Sequence, residues 1–278
     1  MRSTPDRLLR PTCCARRLRR AALVLAAAFT LAGANAAAET IAEARYALPV
    51  DRYGHFALGR PHEYARLQAT TSRGRTLELA LPEQEVFEDL APRLVRLVAG
   101  EPEELLAIVS HRDSGARLVL IRLGAEGLAI GAQSPPIGTP MRWLNPVGVA
   151  DLDGDGPAEI AAVITPHIGG TLKVYRRKGA ALVEIAALAG FSNHVYHSAE
   201  LALSLPMALA GRTQLLVPDV TRRQLRIIAL KGERLAETGR CAIAAPVTGP
   251  IRLISPREIS IGTQSGVQSV TPNDCLSE

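Results

Sequence analysis

Aromatic side chains are scarce in this sequence: they make up 4% of its 278 residues, and tryptophan occurs once. A core must therefore be built from Val, Ile, Leu and Ala. No long stretch keeps a strong helical period, which argues against a helical body. No low-complexity linker divides the chain. Three signatures of hydrolytic or nucleotide chemistry are also missing. G-x-S-x-G, H-E-x-x-H and G-x-x-x-x-G-K-[ST] do not occur, so a nucleophile elbow, a zinc-binding helix and a P-loop are excluded. Paired carboxylates for glycoside cleavage need only meet in space, and stay open.

A membrane-length apolar run is lacking too. Residues 21–34, AALVLAAAFTLAGA, are too few and too rich in alanine to span a bilayer comfortably. Seven arginines (2, 7, 10, 16, 17, 19, 20) precede that run against one acid, Asp6. Small residues follow it, Ala34-Asn35-Ala36 and Ala36-Ala37-Ala38. A basic head, a short apolar stretch and an A-x-A end predict a secretory signal peptide over 1–38, cleaved after Ala36 or Ala38. A buried helix or an uncleaved anchor is the alternative. The mature chain, 39–278, is expected in the periplasm or outside the cell, with no stable membrane insertion. No cysteine follows the apolar run, which argues against a lipoprotein anchor.

Positive charge disappears with the leader. The formal net charge is +5, and residues 1–38 carry seven Arg against one Asp, so the remainder stands at −1. A nucleic-acid partner loses its main support. Cys13 and Cys14 leave with the leader as well. Cys241 and Cys275 remain, and an even pair in an oxidising compartment predicts a disulfide tying the C-terminal tail to the body.

What is present reads as β. Short runs rich in Val, Ile and Leu alternate with Gly, Pro and polar turns. Strands are expected at 64–70, 76–81, 93–98, 105–110, 117–122, 147–150, 160–165, 172–176, 214–217 and 224–230. Ile160-Ala161-Ala162-Val163-Ile164 is almost continuously apolar, as a strand buried on both faces would be. A weak repeat links Leu105–Ser110 with Arg117–Leu120, Ile160–Thr165 with Leu172–Tyr175, and Gln214–Val217 with Leu225–Ile228. Its period of roughly 54 residues lies in the range of propeller blades. The expectation is an all-β fold, a small β-propeller of about five blades, with a β-sandwich as the alternative.

One loop carries clear chemistry: Asp151-Leu152-Asp153-Gly154-Asp155-Gly156-Pro157-Ala158-Glu159. Carboxylates stand at its positions 1, 3, 5 and 9, and Gly156 permits a sharp turn. Crowded carboxylates repel without a cation. Ca²⁺ takes six to eight oxygens in irregular geometry, and Mg²⁺ demands tighter order. The loop is not an EF-hand, because position 12 is Ala162 and the flanks are strand-like. Pro146 to Ala161 resembles the FG-GAP/VCBS repeat, which builds the propellers of integrin α-subunits and many exported bacterial proteins. The resemblance implies calcium at Asp151, Asp153, Asp155, the Pro157 carbonyl and Glu159. It covers about one blade. The family's last ligand is commonly Asp, where this chain has the longer Glu159. The stretch one repeat earlier, Arg96–Glu101, has lost the acids.

Two further segments gather histidines at expected turns: Thr165-Pro166-His167-Ile168-Gly169-Gly170 and Phe191-Ser192-Asn193-His194-Val195-Tyr196-His197-Ser198. They can converge on a polar pocket with Arg142 and Trp143, or serve only as turn chemistry. A strand is the expected setting for His194 and His197. Arg176-Arg177-Lys178 and Arg222-Arg223 read as solvated hairpin ends. The functional expectation is a non-catalytic, calcium-binding module for a protein or glycan partner in the cell envelope. The alternative is a calcium-dependent hydrolase or lyase acting on envelope polysaccharide or phosphoester.

Overall fold

The computed structural model describes residues 38–277. The leader expected over 1–38 lies outside the described residues, apart from Ala38. Among the described residues the chain is all-β: nineteen strands and one short 3-10 turn, Pro272–Cys275.

The strands run in order as β1 (Ile41–Pro49), β2 (Tyr64–Thr71), β3 (Thr76–Ala80), β4 (Glu85–Phe87), β5 (Arg93–Val95), β6 (Glu104–His111), β7 (Gly115–Gly124) and β8 (Gly127–Gln133). There follow β9 (Leu144–Ala150), β10 (Glu159–Ile164), β11 (Gly170–Lys178), β12 (Ala181–Phe191), β13 (Leu205–Leu209), β14 (Arg212–Pro218), β15 (Gln224–Lys231) and β16 (Arg234–Ala242). The last three are β17 (Val247–Ser255), β18 (Glu258–Thr263) and β19 (Gly266–Val270).

Each copy of the sequence repeat becomes an antiparallel hairpin, and each hairpin gains a strand on either side. The results are four-stranded meanders: β5 to β8, β9 to β12 and β13 to β16. A three-stranded meander, β17 to β19, closes the chain. Before the first meander, β1 pairs β2, and β2 pairs both β3 and β4. The β4 strand joins β6 in register from Glu85 opposite His111. One parallel pairing, Ala181 with Gln133, links β12 to β8 and makes the first twelve strands a continuous sheet.

The continuous apolar strands have a reason. Alternate residues of one strand point to opposite faces, and here both faces are covered. Leu105, Ala107 and Val109 of β6 pack with Leu67, Ala69 and Phe87. Their neighbours Leu106 and Ile108 pack instead with Ile160, Ala162 and Leu182. On β10, Ala161 and Val163 turn the other way, onto Leu215, Val217 and Ile228. Leu216 and Ile227 then face Ile251, Ile259 and Ile261. Successive sheets are thus layered in chain order, with an apolar filling in each gap. Cys241 of β16 and Cys275 form a disulfide with Cα atoms 5.1 Å apart, as the pairing argument predicts.

Candidate functional site

The acidic loop joins β9 to β10 as a strand–loop–strand unit. Glu159 opens β10 opposite Ala150. Gly154 and Gly156 hold φ of 85° and 103°, a region other residues enter only with strain. Asp151 clamps the turn, its two carboxylate oxygens accepting the Gly154 N–H at 2.7 Å and the Gly156 N–H at 3.1 Å. Leu152 is buried and anchors the loop in the core.

Of the five expected ligands, Asp151, Asp153 and Glu159 come together, with one carboxylate oxygen from each within 4.8 Å of the others. Asp155 is not part of that trio and its side chain is 49% exposed, but its carboxylate lies 3.8 Å from an Arg176 nitrogen that also serves Asp153 and Glu159, and both it and Pro157 line a neighbouring recess. The trio already meets a cation of the protein's own. Arg176 of β11 donates Nη2 to Asp153 at 2.5 Å, and donates Nε and Nη2 to Glu159 Oε1 at 3.0 and 2.7 Å. Glu159 is fully buried, and its other oxygen accepts the Leu152 N–H at 3.0 Å. The donors are therefore hard oxygens, of the kind Ca²⁺ takes, but two of them are shared with a guanidinium. Arg176 was expected to be a solvated hairpin end. It is instead three-quarters covered, and hydrogen bonds to the two acids raise its pKa. Its neighbour Arg177 pairs with Glu104.

A second site lies away from this loop. A pocket of about 460 Å³ is lined by His55, Arg142, Trp143, Thr165, His167 and Tyr196, with Met141 and Ile168 at exposed positions. The convergence of the two histidine segments on Arg142 and Trp143 is what the sequence suggested. The local setting differs, since residues 192–204 form no strand. Asn145 and Asn193 bond across that segment to backbone oxygens and hold it in place of a sheet. His194 is buried, while His197 is exposed and stacks on Tyr196 with ring centroids 4.0 Å apart.

His167 and His194 meet at 2.6 Å between Nε2 and Nδ1. Burial, and then the charges of His194, His55, Arg222 and His197, pull the His167 pKa down to about 3. Burial pulls His194 down to about 4, with Arg222 adding to the effect. Both rings are therefore neutral at pH 7, and one tautomer chain satisfies them. The Ser198 carbonyl can only accept, so His194 Nε2 donates to it at 2.8 Å. His194 Nδ1 must then accept, and His167 Nε2 must donate. This leaves a lone pair on His167 Nδ1 with no partner among the described residues. The His167 ring lies nearly parallel to Trp143, 3° between planes. Trp143 is fixed in turn by donating Nε1–H to the Glu88 carbonyl at 2.8 Å.

No family model matches the chain, and no curated protein does. Among solved structures, the crystal structure of a protein from Bacteroides fragilis NCTC 9343, provisionally assigned as a 6-phosphogluconolactonase, aligns at a TM-score of 0.39 and 15% identity. The alignment covers 77% of this chain and 66% of that one. A likeness so distant assigns neither fold nor activity. The site must be read on its own chemistry.

His55 was not singled out by the sequence, and no strand pattern surrounds it. It is positioned by two buried acids. Glu63 accepts the N–H groups of Gly54, His55 and Phe56 at 2.7 to 2.9 Å, and burial raises its pKa. Glu88 accepts the Ala57 N–H at 3.0 Å and the Ser110 hydroxyl at 2.7 Å. Its Oε1 also lies 2.8 Å from His55 Nδ1, off the line a hydrogen bond requires. Backbone strain gathers at the same place. Phe56, Met141, Thr165 and His197 all hold positive φ, between 46° and 63°, without being glycine. For the β-branched Thr165, which lines the pocket, that is a clear outlier. Such strain concentrates where a site over-determines its backbone.

Proposed function

We propose that this chain is an exported, propeller-type binding module whose histidine-lined pocket takes part of a glycan in the cell envelope. The observation that carries the reading is the pocket itself. Segments near residues 55, 142, 167 and 196 build one recess with aromatic and imidazole walls and strained, non-glycine corners. Aromatic faces with a few convergent polar groups suit small-ligand recognition. The three four-stranded meanders, together with the β1–β4 group and the three-stranded β17–β19 meander, support a propeller form of about five units. The basic, apolar and A-x-A order of the leader supports export.

A binding role is favoured over catalysis because His167 and His194 are held in hydrogen bonds to one another and to the Ser198 carbonyl, and burial lowers both pKa values. A general acid or base works best with a pKa near the working pH, and His167 and His194 lie far below neutrality. The hydrolase alternative rests on a different residue, His55, whose Nδ1 lies 2.8 Å from buried Glu88 without hydrogen-bond alignment; a rotation of the ring would give the carboxylate-oriented imidazole of a general base. The acidic hairpin is proposed to hold calcium through Asp151, Asp153, Asp155, the Pro157 carbonyl and Glu159, with Arg176 competing for Asp153 and Glu159. Bound calcium would supply positive charge that stiffens this hairpin.

The pocket reading is tested by measuring retention of labelled envelope polysaccharide on immobilised mature chain. Wild type should bind, and Tyr196→Ala with Ile168→Ser should bind at least ten-fold more weakly. Equal retention by both would remove the pocket from the reading. Release of new reducing ends by wild type, lost in His55→Ala, would replace binding with hydrolysis.

A further inference from the structure

The pocket walls hold no carboxylate, and Arg142 on those walls has no acidic partner among the described residues. Other arginines of this chain do have such partners: Arg93, Arg117, Arg176, Arg177 and Arg226 each pair with an Asp or Glu. Arg142, which lines the pocket, donates one Nη1–H to the adjacent Met141 carbonyl at 2.9 Å and makes no ion pair. Arg222 reaches the Ser192 hydroxyl at 3.2 Å, and its Nε is buried with no acceptor. Arg222 is close enough for its charge to act on both His167 and His194. It also has positive φ, 55°, like the residues at the pocket's corners. Arg142 is half-buried at the pocket wall, and its remaining guanidinium N–H groups are free to meet an incoming anionic acceptor.

The neighbouring groups narrow the acceptor further. His167 offers a lone pair at Nδ1, which suits a hydroxyl donor on the ligand. Trp143 and His167 form a flat stack, and Tyr196 meets His167 edge-on at 5.0 Å between centroids. Trp143 is buried behind this stack, so His167 and the exposed Tyr196 present the ring surface, and such flat faces suit the C–H face of a sugar ring better than a bare inorganic ion. A guanidinium fork matches the planar, two-oxygen geometry of a carboxylate. We infer that the ligand of this pocket is an acidic sugar of the uronate class, its carboxylate on Arg142 and a hydroxyl donating to His167 Nδ1. This rests on the pocket being a glycan site, and it adds the charge and class of the sugar.

The test uses the chain's single tryptophan. Trp143 is the only Trp in the sequence and stacks on His167, so its fluorescence reports on the pocket. The mature chain is titrated at pH 7 with D-glucuronate, D-glucose and inorganic phosphate. Saturable change with D-glucuronate is expected, with D-glucose at least ten-fold weaker and phosphate without effect. Arg142→Gln should lower D-glucuronate affinity at least ten-fold, while Arg142→Lys should keep part of it and gain salt sensitivity. Because the Arg142 side chain bonds only the Met141 carbonyl, and its backbone bond to Ala116 is kept, both variants should melt with the wild type. D-glucose binding as tightly as D-glucuronate would overturn the acidic assignment and leave the glycan pocket standing. Phosphate binding as tightly as D-glucuronate would overturn the sugar acid. No response to either sugar would sink the glycan pocket and this inference together.

Discussion

His167 and His194 sit 2.6 Å apart in a setting that does not tolerate a second proton. Protonating either ring places a charge in partly dry surroundings near Arg222, and for His167 near His55 and His197 as well. Their folded pKa values of about 3 and 4 lie below the ordinary 6.5. The unfolded chain therefore binds more protons than the folded one between those values, and stability rises with pH across that window. The contribution is complete above pH 6.5 and is lost as pH falls toward 3. Urea unfolding at a series of pH values should show about two protons taken up on unfolding between pH 6.5 and 4 beyond the carboxylate background. His167→Gln should remove about one of them. An unchanged slope in that variant would place the proton-sensitive group elsewhere. Sequence could name these histidines but not this behaviour, because the 2.6 Å contact joins residues 27 positions apart.

At the scale of the element, the β9–β10 hairpin shows how far a motif can be read and where reading stops. The strand–loop–strand setting and the clustering of Asp151, Asp153 and Glu159 were legible in spacing alone. The occupant of that cluster was not. Arg176 looks like one of three basic residues at a hairpin end, and only the pairing of β10 with β11 carries it to the acids. The longer side chain at position 159 then has a role, since Glu159 reaches Arg176 and still caps Leu152. Thermal melts separate metal from arginine. With calcium bound, wild type should melt several degrees higher in calcium than in EGTA. Asp153→Asn with Asp155→Asn should abolish the difference, and Arg176→Gln should enlarge it by removing the competitor. Equal wild-type melting in calcium and EGTA would leave Arg176 as the hairpin's sole counter-ion.

For the whole molecule, stability comes from sheets covered on both faces. A cut in one gap should be felt on its own side only. Ile108→Ala opens a space beside Ile160 and Ala162 and should cost about 2–5 kcal/mol. The Cys241–Cys275 bridge acts differently, because its 34-residue separation restrains the unfolded chain and ties the C-terminal turn to β16. Replacing both cysteines by Ser should lower unfolding free energy by roughly 2–4 kcal/mol in denaturant titrations. A loss below the error of such titrations would show that the tail is held by packing alone. All ten expected strands are present, each within a few residues of its expected limits. Strands such as β16 and β17 escaped notice because they lie at sheet edges and mix buried with exposed positions, which blurs the period-2 pattern.

Local chemistry needs no tertiary context. Apolar runs bounded by Gly and Pro must become strands, and D-x-D-G-D-G must become a tight acidic turn. These follow from backbone sterics and charge within a few residues, so the sequence by itself determined them. Contacts between sheets decided the rest. The approach of Arg176 to Glu159, of His167 to His194, and of Glu88 to His55 depends on which faces pack together, and that is settled by burying apolar area across the entire chain. The pocket is a product of that packing, and no single segment contains it.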